Sequence, residues 1–260
     1  MQTPPSTPAA GETLTVLPAP ALRRFVRYYW FSAHNRDARC CVLPDGCVEW
    51  VFEMPAASAP LCRLHGPADR STALDLNLAS HYLGVSFQPG QARYFFSEPP
   101  HELIATGMPV TPLDFTLTHG LGEAGSTAHC FARLDAMLSA QLAQRSPHAQ
   151  PVDRAIAALC LRDGRLNLAA LADRCGRSQR QLERDFHRAV GLGGKTFARI
   201  CRFRRATRLL ATSNYTAASV AAELGYTDQS HLTREFRRFG VATPRRYAAN
   251  PVGFLQDRWP

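Results

Sequence analysis

The sequence predicts an α+β protein, with a β-rich N-terminal domain followed by an all-α C-terminal domain. Three observations predict this. Two stretches of the first half, 41–54 and 81–96, alternate apolar and polar residues with the two-residue period of a strand. The second half carries one helical pattern twice, fifty residues apart, as "CGRSQRQLERDFHRAVG" (175–191) and "LGYTDQSHLTREFRRFG" (224–240). Between the halves lies "SPHAQP" (146–151), a polar stretch with two prolines that reads as a linker. A chain of 260 residues suits two domains of roughly 100 to 150 residues. The expected organisation is therefore a β-rich domain over 1–145, a linker over 146–151, a helical domain over 152–250 and a tail over 251–260.

In chain order, "CVLPDGCVEWVFEM" (41–54) reads as strand, Pro-Asp-Gly turn and strand. Val48, Trp50 and Phe52 share one face and Glu49 and Glu53 the other, so a half-buried hairpin is expected. "HYLGVSFQPGQARYFF" (81–96) alternates Leu83, Val85 and Phe87, turns at Gln88-Pro89-Gly90 and continues into a short helix. The last element before the linker is a helix in "AHCFARLDAMLSAQLAQR" (128–145), where Phe131, Leu134, Leu138 and Leu142 recur at spacings of three and four. That stripe fits either a domain core or a dimerisation surface.

In the second half, Ser178 and Gln181 have the spacing of an N-cap and its capping-box partner, followed by Leu182, Phe186 and Ala189 at helical spacing. Asp228 takes the same place before Leu232, Phe236 and Phe239. Each of these helices follows a short Ala-rich helical segment, "LAALADRC" or "AASVAAEL", that ends at Gly176 or Gly225, residues suited to a left-handed turn. Two helix-turn-helix units are thus expected. With the apolar stripes turned inward, Arg180, Arg184 and Arg188 line one outward face, and Ser230, Arg234 and Arg238 line the other.

Charge separates the halves further. Residues 151–260 hold 20 Lys or Arg against 9 Asp or Glu, a net +11, whereas residues 1–150 hold 10 against 12. A basic half of this kind is an electrostatic footprint for a polyanion, since each neutralised phosphate releases counterions. An isolated Arg stripe is ordinarily a solvated face. Two matching stripes on capped helices within that basic half point instead to double-stranded DNA.

Residues 153–250 resemble the DNA-binding domain of the AraC/XylS family of bacterial transcription regulators. The resemblance is carried by "LAALADRCGRSQRQLERDFHRAVG", "FARICRFRRATRLL", "AAELGYTDQSHLTREFRRFG" and "TPRRYAA". It implies two helix-turn-helix units joined by a rigid linker helix, at about Lys195 to Thr212, with both recognition helices on one face of the DNA. Gln179, Arg180, Glu183 and Arg184, then Gln229, Ser230, His231, Thr233 and Arg234, match the family's base-reading positions. One departure is Gly194, where the family usually has proline; with Gly193 it is expected to loosen the start of the linker helix. The first half, through its "LPDG" turn and its "GVSFQPG" stretch, resembles the N-terminal region of one subgroup of the same family.

The expected partners are therefore double-stranded DNA and, at the N-terminal domain, a small-molecule effector of unknown identity. RNA polymerase and a second copy of the chain are further candidate partners, and no cofactor, metal or membrane is expected. The start of the chain lacks the basic and apolar segments of a secretory leader and no apolar run approaches about 20 residues, so a cytoplasmic location is expected.

The runner-up reading is an enzyme with an appended DNA-binding module. "AVGLGGKT" (189–196), containing the chain's only lysine, Lys195, fits a relaxed phosphate-loop pattern, but such a loop must follow a buried strand and this one follows an amphipathic helix. Eight cysteines, among them Cys40, Cys41 and Cys47, show no C-x-x-C pair and read as small buried hydrophobes. The residues around Cys40 and Cys47 do not resemble the alkyl-accepting repair domain that some regulators of this family carry. His65, His81, His101, His119 and His129 are dispersed without metal-ligand spacing or a neighbouring nucleophile.

Overall fold

The computed structural model describes residues 13–33, 37–55, 60–103, 105, 107–109, 127–212 and 214–249. His119 and the tail expected at 251–260 lie outside the described residues. The chain forms two compact units: one comprises residues 1–39, 47–66 and 75–148, the other 40–46, 67–74 and 149–260. The architecture is α+β, with the strands preceding the helices in sequence.

The first unit is built on a six-stranded sheet. Its strands are β1 (Thr13–Val16), β2 (Val26–Ser32), β4 (Glu49–Pro55), β5 (Leu61–His65), β7 (Ser80–Phe87) and β8 (Met108–Pro109), in the spatial order β1-β2-β7-β4-β5-β8. The pairs β1–β2, β2–β7, β7–β4, β4–β5 and β5–β8 are antiparallel. Period-two alternation decides which side faces the core. Tyr29 and Trp50 flank Val85, and Phe31 and Phe52 flank Leu83, and these six side chains belong to one buried cluster with Phe87, Phe95 and Phe96.

Helix α1 (Thr127–Arg145) covers that cluster, and its stripe of Phe131, Leu134 and Leu138 is buried in it. Of the two roles open to the stripe, the core is the one it fills. Phe131 stacks on Tyr29 with ring centroids 5.8 Å apart, and Asp135 one turn on accepts hydrogen bonds from the Tyr29 hydroxyl at 2.8 Å and the Ala19 amide at 3.0 Å. Burial and the Asp135 carboxylate both push the Tyr29 hydroxyl well above the usual phenol range, so it stays a donor. The Trp50 indole N–H likewise meets the Cys62 sulfur at 2.7 Å, and burial pushes that thiol up to about 11.

The 41–54 stretch folds differently from the expected hairpin. Its second strand is β4, with Val48, Trp50 and Phe52 buried, and Gly46 turns with φ of 74°. Its first strand, β3 (Arg39–Val42), does not pair with β4 but with β6 (Thr72–Asp75), in a separate two-stranded sheet. The reason is Leu43, which is buried in the core of the second unit and takes β3 there with it.

The second expected β stretch forms β7, the Gly90 turn (φ 76°) and a short 3-10 helix at Ala92–Tyr94. Gly84 sits in β7 between Trp30 and Val51, and a Cβ there would run into the Trp30 indole. That indole lies against the glycine and donates to Glu49 at 3.0 Å. Gly84→Ala is therefore expected to destabilise the sheet unit by about 1 to 3 kcal/mol through overpacking. Urea unfolding followed by tryptophan fluorescence would show a lowered midpoint; an unchanged midpoint would mean that Trp30 swings away without cost.

Candidate nucleic-acid interface

The second unit carries helices α2 (Pro151–Leu161), α3 (Leu168–Arg174), α4 (Gln179–Val190), α5 (Gly194–Leu210), α6 (Ala217–Glu223), α7 (Gln229–Arg238) and α8 (Pro244–Ala249). Helix α4 starts where its cap starts it. Ser178 accepts from the Gln181 amide at 3.2 Å, and the Gln181 side chain accepts from the Ser178 amide at 2.9 Å, which satisfies two otherwise orphaned donors. Asp228 caps α7 by accepting from the His231 amide at 2.6 Å. The turns before these helices pass through Gly176 and Gly225, with φ of 64° and 70°, left-handed conformations that a side chain would strain.

The two repeats fold onto separate cores. Leu182, Phe186 and Ala189 of α4 pack with α2 and α3 residues such as Ile156, Leu159 and Leu171. Leu232 and Phe236 of α7, with Phe239, pack with Val220, Leu224 and Tyr247. Helix α5 belongs to both. Its Phe197 lies in the first core, 5.8 Å from Phe186, and its Phe203 lies in the second, 5.0 Å from Phe236 and 4.6 Å from Phe239.

Polar links add direction to this packing. Arg199 of α5 forks onto Glu235 of α7, with Nε 2.9 Å from one carboxylate oxygen and a terminal nitrogen on the other. At the first residue of α5, the Glu183 carboxylate on α4 accepts the Gly194 N–H at 3.1 Å. Arg202 donates to the Gly164 carbonyl at 3.2 Å and lies over the Tyr226 ring, and burial pushes the Tyr226 hydroxyl above the usual range. Segments 40–46 and 67–74 complete the unit. Leu43 enters the second core, Gly46 lies against Phe197, and Ser71 binds the end of α7, its N–H donating to the Phe239 carbonyl at 2.7 Å and its hydroxyl to the Gly240 carbonyl at 2.9 Å.

The residues expected at the interface fall into two groups. Gln179, Arg180, Arg184 and Arg188 on α4, and Gln229, Ser230, Arg234 and Arg238 on α7, are exposed. Three others are engaged within the protein: Glu183 on Gly194, Thr233 through its hydroxyl on the Gln229 carbonyl at 2.9 Å, and His231 through Nδ1 on the Thr227 hydroxyl at 2.8 Å. Arg199 and Glu235 escaped the sequence reading, because they are 36 residues apart and follow no local period. The phosphate-loop-like stretch at 189–196 runs from the last turn of α4, through Gly191 with φ of 82°, into α5, with no strand before it. Among the described residues no three His, Cys, Asp or Glu side chains gather as a metal site. Of the eight cysteines expected to be buried, Cys47, Cys62, Cys130 and Cys175 are, whereas Cys40, Cys41 and Cys201 are half-buried and Cys160 is exposed.

Two capped helices, each in a helix-turn-helix and both anchored to one intervening helix, define a DNA-binding module. A family model described as a helix-turn-helix domain matches residues 171–250, and this domain is of the AraC type. Residues 14–109 match a domain of unknown function (DUF6597). Over 86 residues the chain is 35% identical to the F1 operon positive regulatory protein of Yersinia pestis, a match that spans 33% of this chain and 29% of that protein. Among solved structures, the DNA-binding domain of AdpA, crystallised with a target DNA, is 29% identical, covering 40% of this chain and 100% of its own, with a TM-score of 0.37. ToxT from Vibrio cholerae is 9% identical, covering 85% of this chain and 98% of its own, with a TM-score of 0.47.

The Arg199–Glu235 pair makes a direct prediction. Glu235 is buried, so Arg199→Ala leaves a carboxylate without its partner and is expected to cost about 2 to 3 kcal/mol. In a double-mutant cycle with Glu235→Ala, read by equilibrium unfolding, the coupling should exceed about 1 kcal/mol. Additive losses would show that the two residues act separately.

Proposed function

We propose that the chain is a transcription regulator that binds double-stranded DNA sequence-specifically, laying α4 and α7 into two successive major-groove segments. The observation that carries this reading is the exposed, matched face of the two helices, Arg180, Arg184 and Arg188 on one and Ser230, Arg234 and Arg238 on the other, in a half of net charge +11. A short recognition helix reaches three or four base pairs, and each good contact discriminates by about 1 to 3 kcal/mol. Duplication within one chain supplies two such readings about 34 Å apart on one face of the DNA. Gln179 and Gln229 have the donor and acceptor set for adenine edges, and Arg184 and Arg234 the fork for guanine.

The sheet unit, with its own closed core, is the proposed sensor of a small-molecule effector. Such a ligand acts by binding one state of the protein better than another and so shifting the population competent for DNA. The protein acts in the cytoplasm, without catalysis of its own, and RNA polymerase and a second copy of the chain are the partners this role calls for. The match of residues 171–250 to a helix-turn-helix family model supports the DNA-binding part of the reading.

The test is to incubate the purified chain with sheared DNA from its own source at near-physiological salt and sequence what it retains. An enriched site with two short blocks about one turn apart is expected. Retention without any enriched sequence would sink the specific reading and leave only phosphate binding. Arg184→Ala and Arg234→Ala should each weaken specific binding by about 1 to 3 kcal/mol and relax base preference, in different blocks. Uniform weakening across all sequences would make them phosphate contacts instead.

A further inference from the structure

Glu183 stands at a position expected to read a base, yet its carboxylate is committed elsewhere. One oxygen accepts the N–H of Gly194, the first residue of α5, at 3.1 Å. The other lies where a Cβ on Gly193 would have to go, and a Cβ on Gly194 would come within 3.2 Å of both the carboxylate and the Phe186 ring. Gly193, the residue before α5, has no side chain to cap that helix, so Glu183 supplies the missing acceptor from eleven residues away. The arrangement is self-consistent. Two bare glycines let the carboxylate settle on the backbone, and the carboxylate satisfies an amide at the positive end of a 17-residue helix.

The repeat makes the assignment more pointed. Fifty residues on, the counterpart of Glu183 is Thr233, which bonds its own helix, and the acid that holds α7 to α5 is Glu235, whose counterpart in the first unit is Asp185. Asp185 pairs instead with Arg177, 3.3 Å away. The two units therefore use acids at non-equivalent positions to grip the same helix, Glu183 at its first residue and Glu235 five residues on, at Arg199.

We propose that Glu183 is a positioning residue. By holding the start of α5 it fixes the angle and separation between α4 and α7, and so sets the spacing between the two DNA segments. This rests on the regulator reading above. The glycine pair would by itself loosen the junction; the carboxylate restores the rigidity that a backbone without side chains gives up.

The test is selection of a random-sequence double-stranded DNA library by the full chain, comparing the unaltered protein with E183A, E183Q and G193A, each first shown to melt as a folded protein. The unaltered chain should enrich two blocks at one spacing. E183A and G193A, which remove the contact by deletion and by steric displacement, should each lower the discrimination against sites one base pair longer or shorter about fivefold, with base preference inside each block unchanged. E183Q keeps an acceptor oxygen and should retain most of the spacing selectivity. A changed base preference in the first block of E183A, at unaltered spacing, would overturn the proposal and make Glu183 a base reader. Unchanged spacing and unchanged bases would also overturn it. If the unaltered chain enriches no two-block site, the regulator reading fails and the spacing role falls with it, an outcome distinct from failure in the variants alone.

Discussion

Helix α5 must serve two hydrophobic cores at once, and the geometry of the helical unit follows from that demand. Phe197 and Phe203 are six residues apart, which on an α-helix places them about 9 Å apart along the axis and about 120° apart around it. One ring therefore enters the core of the first helix-turn-helix and the other the core of the second. Because aromatic rings in close-packed cores have few alternative positions, α4 and α7 inherit their relative orientation from this helix. The charged fork of Arg199 on Glu235 and the carboxylate of Glu183 on the Gly194 amide act within the first six residues of the same helix and tie it to α7 and to α4 respectively.

The sheet unit solves a different problem. Its strands turn alternate residues inward, and those residues combine five aromatic rings with aliphatic side chains, so a sheet of modest size gains a closed core once α1 lies across it. Two of the polar groups that this core swallows are matched within it: Tyr29 with Asp135, and Trp50 with Cys62. Gly84 is the exception that shows how tight the sheet is, since its missing side chain is the space in which Trp30 lies.

Local signals were legible and distant ones were not. The caps at Ser178 and Asp228, the turns at Gly176 and Gly225, and the inward stripes of α1, α4 and α7 all depend on residues within one or two helical turns, and the chain spells them out. The alternation around Trp50 was equally plain, but which strand lies beside β4 was not. A turn-like "LPDG" between two strands looks the same whether the strands pair with each other or part, and here the burial of Leu43 parts them. The engagement of Glu183, Thr233 and His231 within the protein was hidden for a related reason. An exposed helix position shows that a side chain is available to solvent, not that its polar atoms are. A hint did exist in the repeat, where Glu183 is an acid and its counterpart, Thr233, is not.

Ser71 and Leu43 bear on how the chain can be divided. They come from the first half of the sequence, yet one binds the carbonyls at the end of α7 and the other fills a place among Phe203, Phe236 and their neighbours. A fragment beginning after the proline-bearing stretch at 146–151 would contain every helix of the DNA-binding module and still lack part of its interior. It would open a leucine-sized void and return the Phe239 and Gly240 carbonyls to water, so the helical module is contiguous in function but not in sequence.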